Sequence, residues 1–515
     1  MSAARTPAVA VIGGGACGIM ACMALVRQAG VTSRTRLDVH LIEKRDRLGD
    51  GVAYASPYDW HLLNMQAATM SIRPEDPGDF ITWLRAGHVA SVPGAGGTQG
   101  LERSYVPRHR FGAYLRDRFH DSVREAEHVG IRIEVHHAEV VDLRASGGCL
   151  VPECRRSVKL PPVDRVVLCP GDLPDPAYRE LAGHPRYHPD PCRLDDAVPR
   201  NAAVGVLGTS LTAVDALAHL HATGHHGPVH CFSRARPFPT VQPPELTPYT
   251  LQHLTPERLR SLTTNGTPLS LAKVADLLLK ELHDATDGAL GPARIIQRAH
   301  SHDGFAAEIE EAQAHRTAWY EALDATSPLA PHVWRALRFQ DKTDFLASHH
   351  GLWTTWRHPM PLPNACRLHH LQHTGQLHWH PGIRTVTADL HGGFDIHCHH
   401  RGRPTSWHVD HLINATGTGY HPWLTASPLL AALLDRQALT VHPHGGVNVD
   451  FQTLQTLAPN GKPNTHQYFL GPLTRGVHFY TNAVETNLTN ATLMATHLIR
   501  TLSDTAPHPD PPSHK

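Results

Sequence analysis

Two glycine turns and one acid carry the clearest chemistry in this sequence. Gly13-Gly14-Gly15-Ala16-Cys17-Gly18 has the spacing that wraps a pyrophosphate. Gly13 allows a tight turn, Gly15 lets backbone approach the phosphates, and Gly18 lets a helix pack closely on a strand. A helix that starts there turns free N–H groups and a partial positive charge toward the anion. Glu43 follows 25 residues after Gly18, where a carboxylate can accept hydrogen bonds from ribose hydroxyls. A second turn, Gly208-Thr209-Ser210, repeats the pattern with serine in place of the middle glycine. The strand after it ends in Ser233-Arg234 rather than in an acid, which suits a 2′-phosphate and therefore NADPH.

The elements that position these residues are legible around them. The apolar run Ala8 to Ile12 leads into the first turn, apolar residues at helical spacing follow from Ile19 to Val26, and a second run, Leu37 to Ile42, ends at Glu43. Pro77 and Asp79 start a short helix with Phe80, Trp83 and Leu84 on one face. A helix from Arg108 carries Phe111, Tyr114, Leu115 and Phe119 toward a core. Strands are expected at Ile131 to Val135 and at Val166 to Cys169, with Gly147-Gly148 as a hairpin turn between them. A strand from Ala203, a helix through Leu220 and a strand Val229 to Phe232 form the second unit. Residues 242–350 read as a helical insertion, strand signals return after Ile383, and a strand from His411 stops at Ala415-Thr416-Gly417. A helix from Ala483 to Leu502 precedes a tail of disordered composition.

The expected fold is α/β: two Rossmann-like, three-layer dinucleotide-binding domains with a helical insertion. The first would occupy residues 1–195 and 411–503, the second residues 196–410, and the tail residues 504–515. A chain of 515 residues exceeds one ordinary core. Its 47 basic and 47 acidic residues, without a basic run, argue against nucleic acid as a partner. No apolar segment reaches the length of a membrane span and no secretory signal pattern opens the sequence. Nine scattered cysteines suit reduced thiols in the cytoplasm. The 43 histidines include His378-Trp379-His380 and His397-Cys398-His399-His400, whose spacings match no zinc pattern; they read as solvated histidines, and no metal site is expected.

The sequence resembles the FAD/NAD(P)-binding flavoproteins, and within them the flavin-dependent N-hydroxylating (class B) monooxygenases. The resemblance rests on Gly13 to Gly18, Glu43, the run from Gly51-Val52-Ala53-Tyr54 to His61-Leu62-Leu63-Asn64-Met65, Tyr105-Val106-Pro107-Arg108, Gly208-Thr209-Ser210, Ala415-Thr416-Gly417 and Leu470-Gly471-Pro472. It departs from the pattern at Ser210, and at Cys169-Pro170-Gly171, where such proteins more often show Ala-Thr-Gly. It implies that Gly13, Gly15, Gly18 and Glu43 hold the ADP half of FAD and that Leu63, Asn64 and Met65 lie beside the isoalloxazine. Gly471 would lie near its pyrimidine edge, with a helix N-terminus after Arg475 facing reduced flavin. Lys44, Gly51, Arg108, Gly171 and Gly417 complete the implied cofactor shell, and Gly208, Ser210, Ser233 and Arg234 would take NADPH. Asn64 and Gln66 are the catalytic candidates, orienting flavin or nicotinamide; Arg108 and Arg357 are weaker candidates for an anionic group.

The activity implied is FAD- and NADPH-dependent monooxygenation with O2, N-hydroxylating an amino acid or small amine through a C4a-hydroperoxyflavin. Three alternatives stand beside it. One is an FAD-dependent amine oxidase or dehydrogenase, and another is a non-catalytic flavin-binding protein. The third is a disulfide reductase using Cys17 and Cys22, against which their five-residue spacing on one helix counts.

Overall fold

The computed structural model describes residues 5–32, 36–88, 98–156, 158–173, 177–194, 197–234, 238–300, 305–389, 392–417 and 424–504. The expected tail lies outside the described residues from 505 onward, as do Thr418 and Gly419.

Two largely parallel sheets organise the chain. The first is built around β1 (Ala8–Ile12), which pairs in parallel with β2 (Leu37–Glu43) on one side. The hairpin β4 (Val140–Ser146) and β5 (Cys149–Cys154) lies apart, and β6 (Arg165–Leu168) pairs with β1 on its other side. With β3 (Ile131–His137) beyond β2, the sheet order is β15-β16-β6-β1-β2-β3, in which β15 (Gln455–Leu457) and β16 (Pro463–Phe469) come from the far end of the chain. Every β1 residue is buried, as a strand covered on both faces requires. Helices Ala16–Thr32, Arg108–His128 and Val484–Asp504 pack together as one layer, and helix Pro428–Asp435 packs on β4. Phe111, Tyr114, Leu115 and Phe119 are all buried in this core, as their spacing predicts. The hairpin turn falls at Gly147-Gly148, both with positive φ, the conformation that a two-residue turn matching strand twist demands.

The second sheet runs β10-β9-β8-β14-β7 and is parallel throughout. Its strands are β7 (Tyr187–His188), β8 (Val204–Leu207), β9 (Val229–Ser233), β10 (Leu377–Pro381) and β14 (His411–Asn414). A separate antiparallel sheet joins β11 (Ile383–Ala388), β12 (Phe394–His400) and β13 (Arg403–Val409).

Two expected boundaries move. β7 and β14 flank each other in the second sheet, so the first unit does not extend to 195 and the return to it does not begin at 411. The buried core of the first unit takes residues between 8 and 169 and again between 424 and 502. The helical region is also longer than 242–350: its helices run from Pro256–Leu262 to Leu362–His373. Among the described residues, no helix is long and apolar enough to cross a membrane.

Candidate dinucleotide and substrate site

The first glycine turn adopts the geometry its spacing predicts. Gly13 has φ +108°, and a Cβ there would stand 2.0 Å from the Cys169 carbonyl oxygen at the end of β6. A Cβ at Gly18 would meet the Gly13 carbonyl oxygen at 1.8 Å, so side chains at either position would break the turn. Gly15 faces Gly51, whose Cα lies 3.5 Å from a Cβ built at Gly15, which leaves two bare backbones across a groove. The loop is fastened there by Gly49 N–H donating to the Gly14 carbonyl at 2.8 Å. Glu43 ends β2 with its carboxylate turned into the turn: it accepts from Gly14 N–H at 2.6 Å and from Arg45 N–H at 2.9 Å. Lys44 points away and pairs with Glu139 at 3.8 Å on the surface.

The return segment closes over this turn. Gly471, φ +113°, lies against Cys17: a Cβ at Gly471 would be 3.1 Å from the Cys17 sulfur. Burial, with Asp172 nearby, pushes the Cys17 thiol up to about 12, and burial does the same to Cys22. Reactive thiols are shifted the other way, and all nine cysteines are free. The helix after Gly471 is a single turn, Arg475–His478, and the next helix N-terminus after Arg475 is that of Val484–Asp504. Arg475 reaches across to Asp172, two residues past Pro170, at 2.7 Å. Gly171, φ +76°, has open space where a Cβ would go.

The run from His61 to Met65 is held by a short ladder to residues 106–108: Leu63 N–H donates to Val106 O and Arg108 N–H to His61 O, each at 2.8 Å. Above it lies a strap that sequence reasoning missed. Gln66 donates from its amide to the carbonyls of Pro243 (3.4 Å) and Pro244 (3.0 Å), and Tyr105 donates its hydroxyl to Pro243 O at 3.3 Å. Gln66 thus anchors the strap. Gln242 donates to Asn64 O at 2.8 Å and to the Tyr320 hydroxyl at 2.9 Å, and Tyr320 reaches the Met65 sulfur at 3.8 Å. Gln242 is 1% exposed and its Oε1 has no partner. That buried acceptor beside Asn64 is the kind of group a bound ligand satisfies. A glutamine before Pro-Pro gives no period or motif to find it by.

Two arginines have structural partners. Arg108 forms an ion pair with Asp215 of helix Leu211–Ala222 at 2.8 Å, joining the two units. Burial pushes the Asp215 carboxyl up to about 6, against the pull of the Arg108 charge. Arg357 is not on the surface: it is 3% exposed, pairs with Asp324 at 3.2 Å, donates to Ser327 Oγ and lies over the Tyr480 ring. Burial, helped by Arg108 and His219, brings His61 down to about 3, so the ring beside the junction is neutral.

The second turn mirrors the first. Gly208 has φ +113°, and a Cβ there would be 2.5 Å from the Ala415 carbonyl oxygen. Ala415-Thr416-Gly417 at the end of β14 therefore faces Gly208 as Cys169-Pro170-Gly171 faces Gly13. Gly417, expected in the cofactor shell of the first unit, lies 3.9 Å from Thr212 of the second when a Cβ is added. Ser210 is the N-cap of helix Leu211–Ala222. Ser233 is buried and its hydroxyl accepts from the Trp379 indole at 3.0 Å, whereas Arg234 is exposed at the strand end.

Residues 10–173 match a family model described as FAD-NAD(P)-binding. No curated protein matches the sequence. Solved structures share the fold across both chains. The reduced form of ornithine hydroxylase from Pseudomonas aeruginosa is 14% identical, with a TM-score of 0.57, covering 97% of this chain and 100% of its own. An ornithine N-hydroxylase from Kutzneria sp. 744, solved with reduced FAD, NADP+ and L-ornithine, is 14% identical, TM-score 0.55, with 97% and 99% covered. L-lysine 6-monooxygenase from Pseudomonas syringae is 14% identical, TM-score 0.54, with 96% and 99% covered.

Proposed function

We propose that this chain is an FAD- and NADPH-dependent monooxygenase that hydroxylates the nitrogen of an amino acid or small amine. The observation that carries the reading is the pair of like glycine turns on two largely parallel sheets, in a fold similar along nearly the whole chain to that of an ornithine hydroxylase and an L-lysine 6-monooxygenase.

FAD fits the first turn. Gly15 and Gly51 leave the groove that a pyrophosphate occupies, the N-terminus of helix Ala16–Thr32 faces it, and the Glu43 carboxylate stands where ribose hydroxyls can exchange for the Gly14 N–H. NADPH fits the second, with Arg234 exposed at the strand end and able to pair with a 2′-phosphate. When bound, the flavin supplies the redox and oxygen-activating chemistry. The chain supplies position and a dry wall. Gln242 offers its lone Oε1 to a donor of nicotinamide or substrate, and Asn64, held through its carbonyl by Gln242, orients the ring beside it. Burial raises the hydroxyl pKa of Tyr105 and Tyr320, so both stay protonated and donate hydrogen bonds rather than take up charge. These side chains would exclude water from the reacting face of a bound flavin. Nine free cysteines support a reducing compartment, the cytoplasm, as the setting of the reaction.

The test is anaerobic reduction of the purified yellow protein by NADPH, followed by air and a panel containing L-ornithine, L-lysine and short diamines. Amine-dependent NADPH consumption with hydroxylamine formation supports the reading. Bleaching by amine alone, without NADPH, makes the protein an amine oxidase. A colourless protein that takes up no FAD removes every flavoenzyme reading.

A further inference from the structure

We propose that His40, Glu134 and His136 form a binding site for a divalent transition ion, zinc by preference, at the open edge of the first sheet. β3 is the edge strand and pairs in parallel with β2, with His40 opposite Glu134 and Ile42 opposite His136. Residues two apart in a strand share a face, so Glu134 and His136 stand side by side over His40. His40 Nδ1 and His136 Nε2 are 3.0 Å apart, and Glu134 oxygens lie 3.8 Å from the first and 4.0 Å from the second. Around a tetrahedral ion with bonds of about 2.0–2.1 Å, neighbouring donors stand roughly 3.3 Å apart. The two nitrogens are already close to that spacing. The Glu134 side chain is 48% exposed and can swing in by roughly half an ångström to meet the third edge of such a tetrahedron.

The chemistry of the three groups agrees. Two imidazole nitrogens that face each other share at most one proton, and a cation can replace it while using both lone pairs. Two imidazoles, one carboxylate and a fourth position open to water form a donor set suited to zinc. Arg132, 77% exposed and 3.9 Å from Glu134, is too loosely held to block the carboxylate.

Two other histidine pairs sharpen the assignment. His188 Nε2 and His411 Nδ1 are 3.0 Å apart, and His230 Nδ1 and His380 Nε2 are 2.9 Å apart. Among the described residues, only the His40–His136 pair has a third ligating side chain within reach. The ion would tie the edge strand to β2, and β2 ends in Glu43, whose carbonyl accepts from Ala138 just past β3. Metal occupancy thus stiffens the strand pair that carries the ribose acid, and does so whether or not the proposed reaction is right.

The test uses full-length, metal-free protein without an affinity tag, titrated with Co2+ followed by visible absorbance and then displaced with Zn2+. One tight equivalent with tetrahedral bands is expected. Glu134→Gln should weaken it about tenfold or more, in line with losing a ligand, and His136→Asn should abolish it. His380→Asn, at a pair lacking the third ligand, should leave it unchanged. Zinc should raise the melting temperature of the wild type but not of His136→Asn. Absence of a tight equivalent in the wild type overturns the proposal. So does a tight equivalent that survives in both Glu134→Gln and His136→Asn. Glu134 is exposed enough that its variant keeps the test valid if His136→Asn disturbs folding.

Discussion

Gly208 packs against Ala415 so closely that a Cβ at Gly208 would lie 2.5 Å from the Ala415 carbonyl oxygen, in a backbone conformation, φ +113°, that side chains avoid. The contact reproduces in the second sheet the one between Gly13 and Cys169 in the first. It also fixes what β14 is for: the strand brings Ala-Thr-Gly to the second turn, so the closing strand of that turn comes from beyond the helical insertion.

Gly208→Ala should therefore separate the two cofactors. Forcing an L residue into positive φ costs about 1–2 kcal/mol, and the backbone clash adds to that. We expect FAD content near wild type, a lower melting temperature and loss of reduction by NADPH. Normal NADPH reduction kinetics would contradict the role given to this turn.

Glu43→Ala leaves Gly14 N–H without its acceptor and removes the proposed ribose ligand. An unsatisfied buried donor costs about 1–3 kcal/mol. We expect FAD to be lost on gel filtration while the circular dichroism spectrum is kept, and full FAD retention would remove Glu43 from the ribose site.

Arg234→Ala should raise KM for NADPH by about tenfold or more, the loss of one charge-assisted contact of roughly 1.5–3 kcal/mol, with little change for NADH. Equal effects on the two nucleotides would mean that Arg234 does not touch the 2′-phosphate.

Gln242→Ala should keep both cofactors but lower amine-dependent turnover by about ten- to a hundredfold, as one ligand bond and the support of Asn64 disappear together. Conversion of a larger share of NADPH to hydrogen peroxide is the expected signature. Unchanged product yield per NADPH would make Gln242 a strap residue only.

Acid should weaken the fold through the histidine pairs. His188, His230 and His380 are each brought down to about 4, mainly by burial and further by a neighbouring imidazole. Between about 4 and the ordinary value near 6.5, the unfolded chain binds more protons than the folded one. Stability from these groups is complete above that range and falls as pH drops through it. A melting temperature that declines steadily from pH 7 to pH 4.5 is expected, and a less steep decline in His230→Gln checks the assignment.

Local order was legible because it is written locally. The strand, turn, helix and strand from Ala8 to Glu43, the Gly147-Gly148 hairpin and the aromatic face of Arg108–His128 each follow from spacing within a few turns. Sheet membership was not. His411–Asn414 is a short apolar strand, and nothing in four residues tells which sheet it joins; the pairing with β8 is a property of the folded chain. The same holds for side chains. Arg108 reads as available for an anion, but Asp215 of the other unit meets it; Gln66 reads as a catalytic candidate, but its amide donates to the Pro243 and Pro244 carbonyls, partners far away in sequence. The histidines, expected in solvent, include three cross-strand pairs among the described residues, at the edges of the two large sheets.

The central claim is that NADPH and an amine meet on one flavin-binding chain. Anaerobic NADPH bleaching, followed by oxygen and amine with the product assayed as hydroxylamine, tests it most directly. Bleaching by NADPH and about one hydroxylamine per NADPH consumed, as one oxygen atom goes to the amine and the other to water, is the expected result. Failure of NADPH to bleach a protein that holds FAD would contradict it.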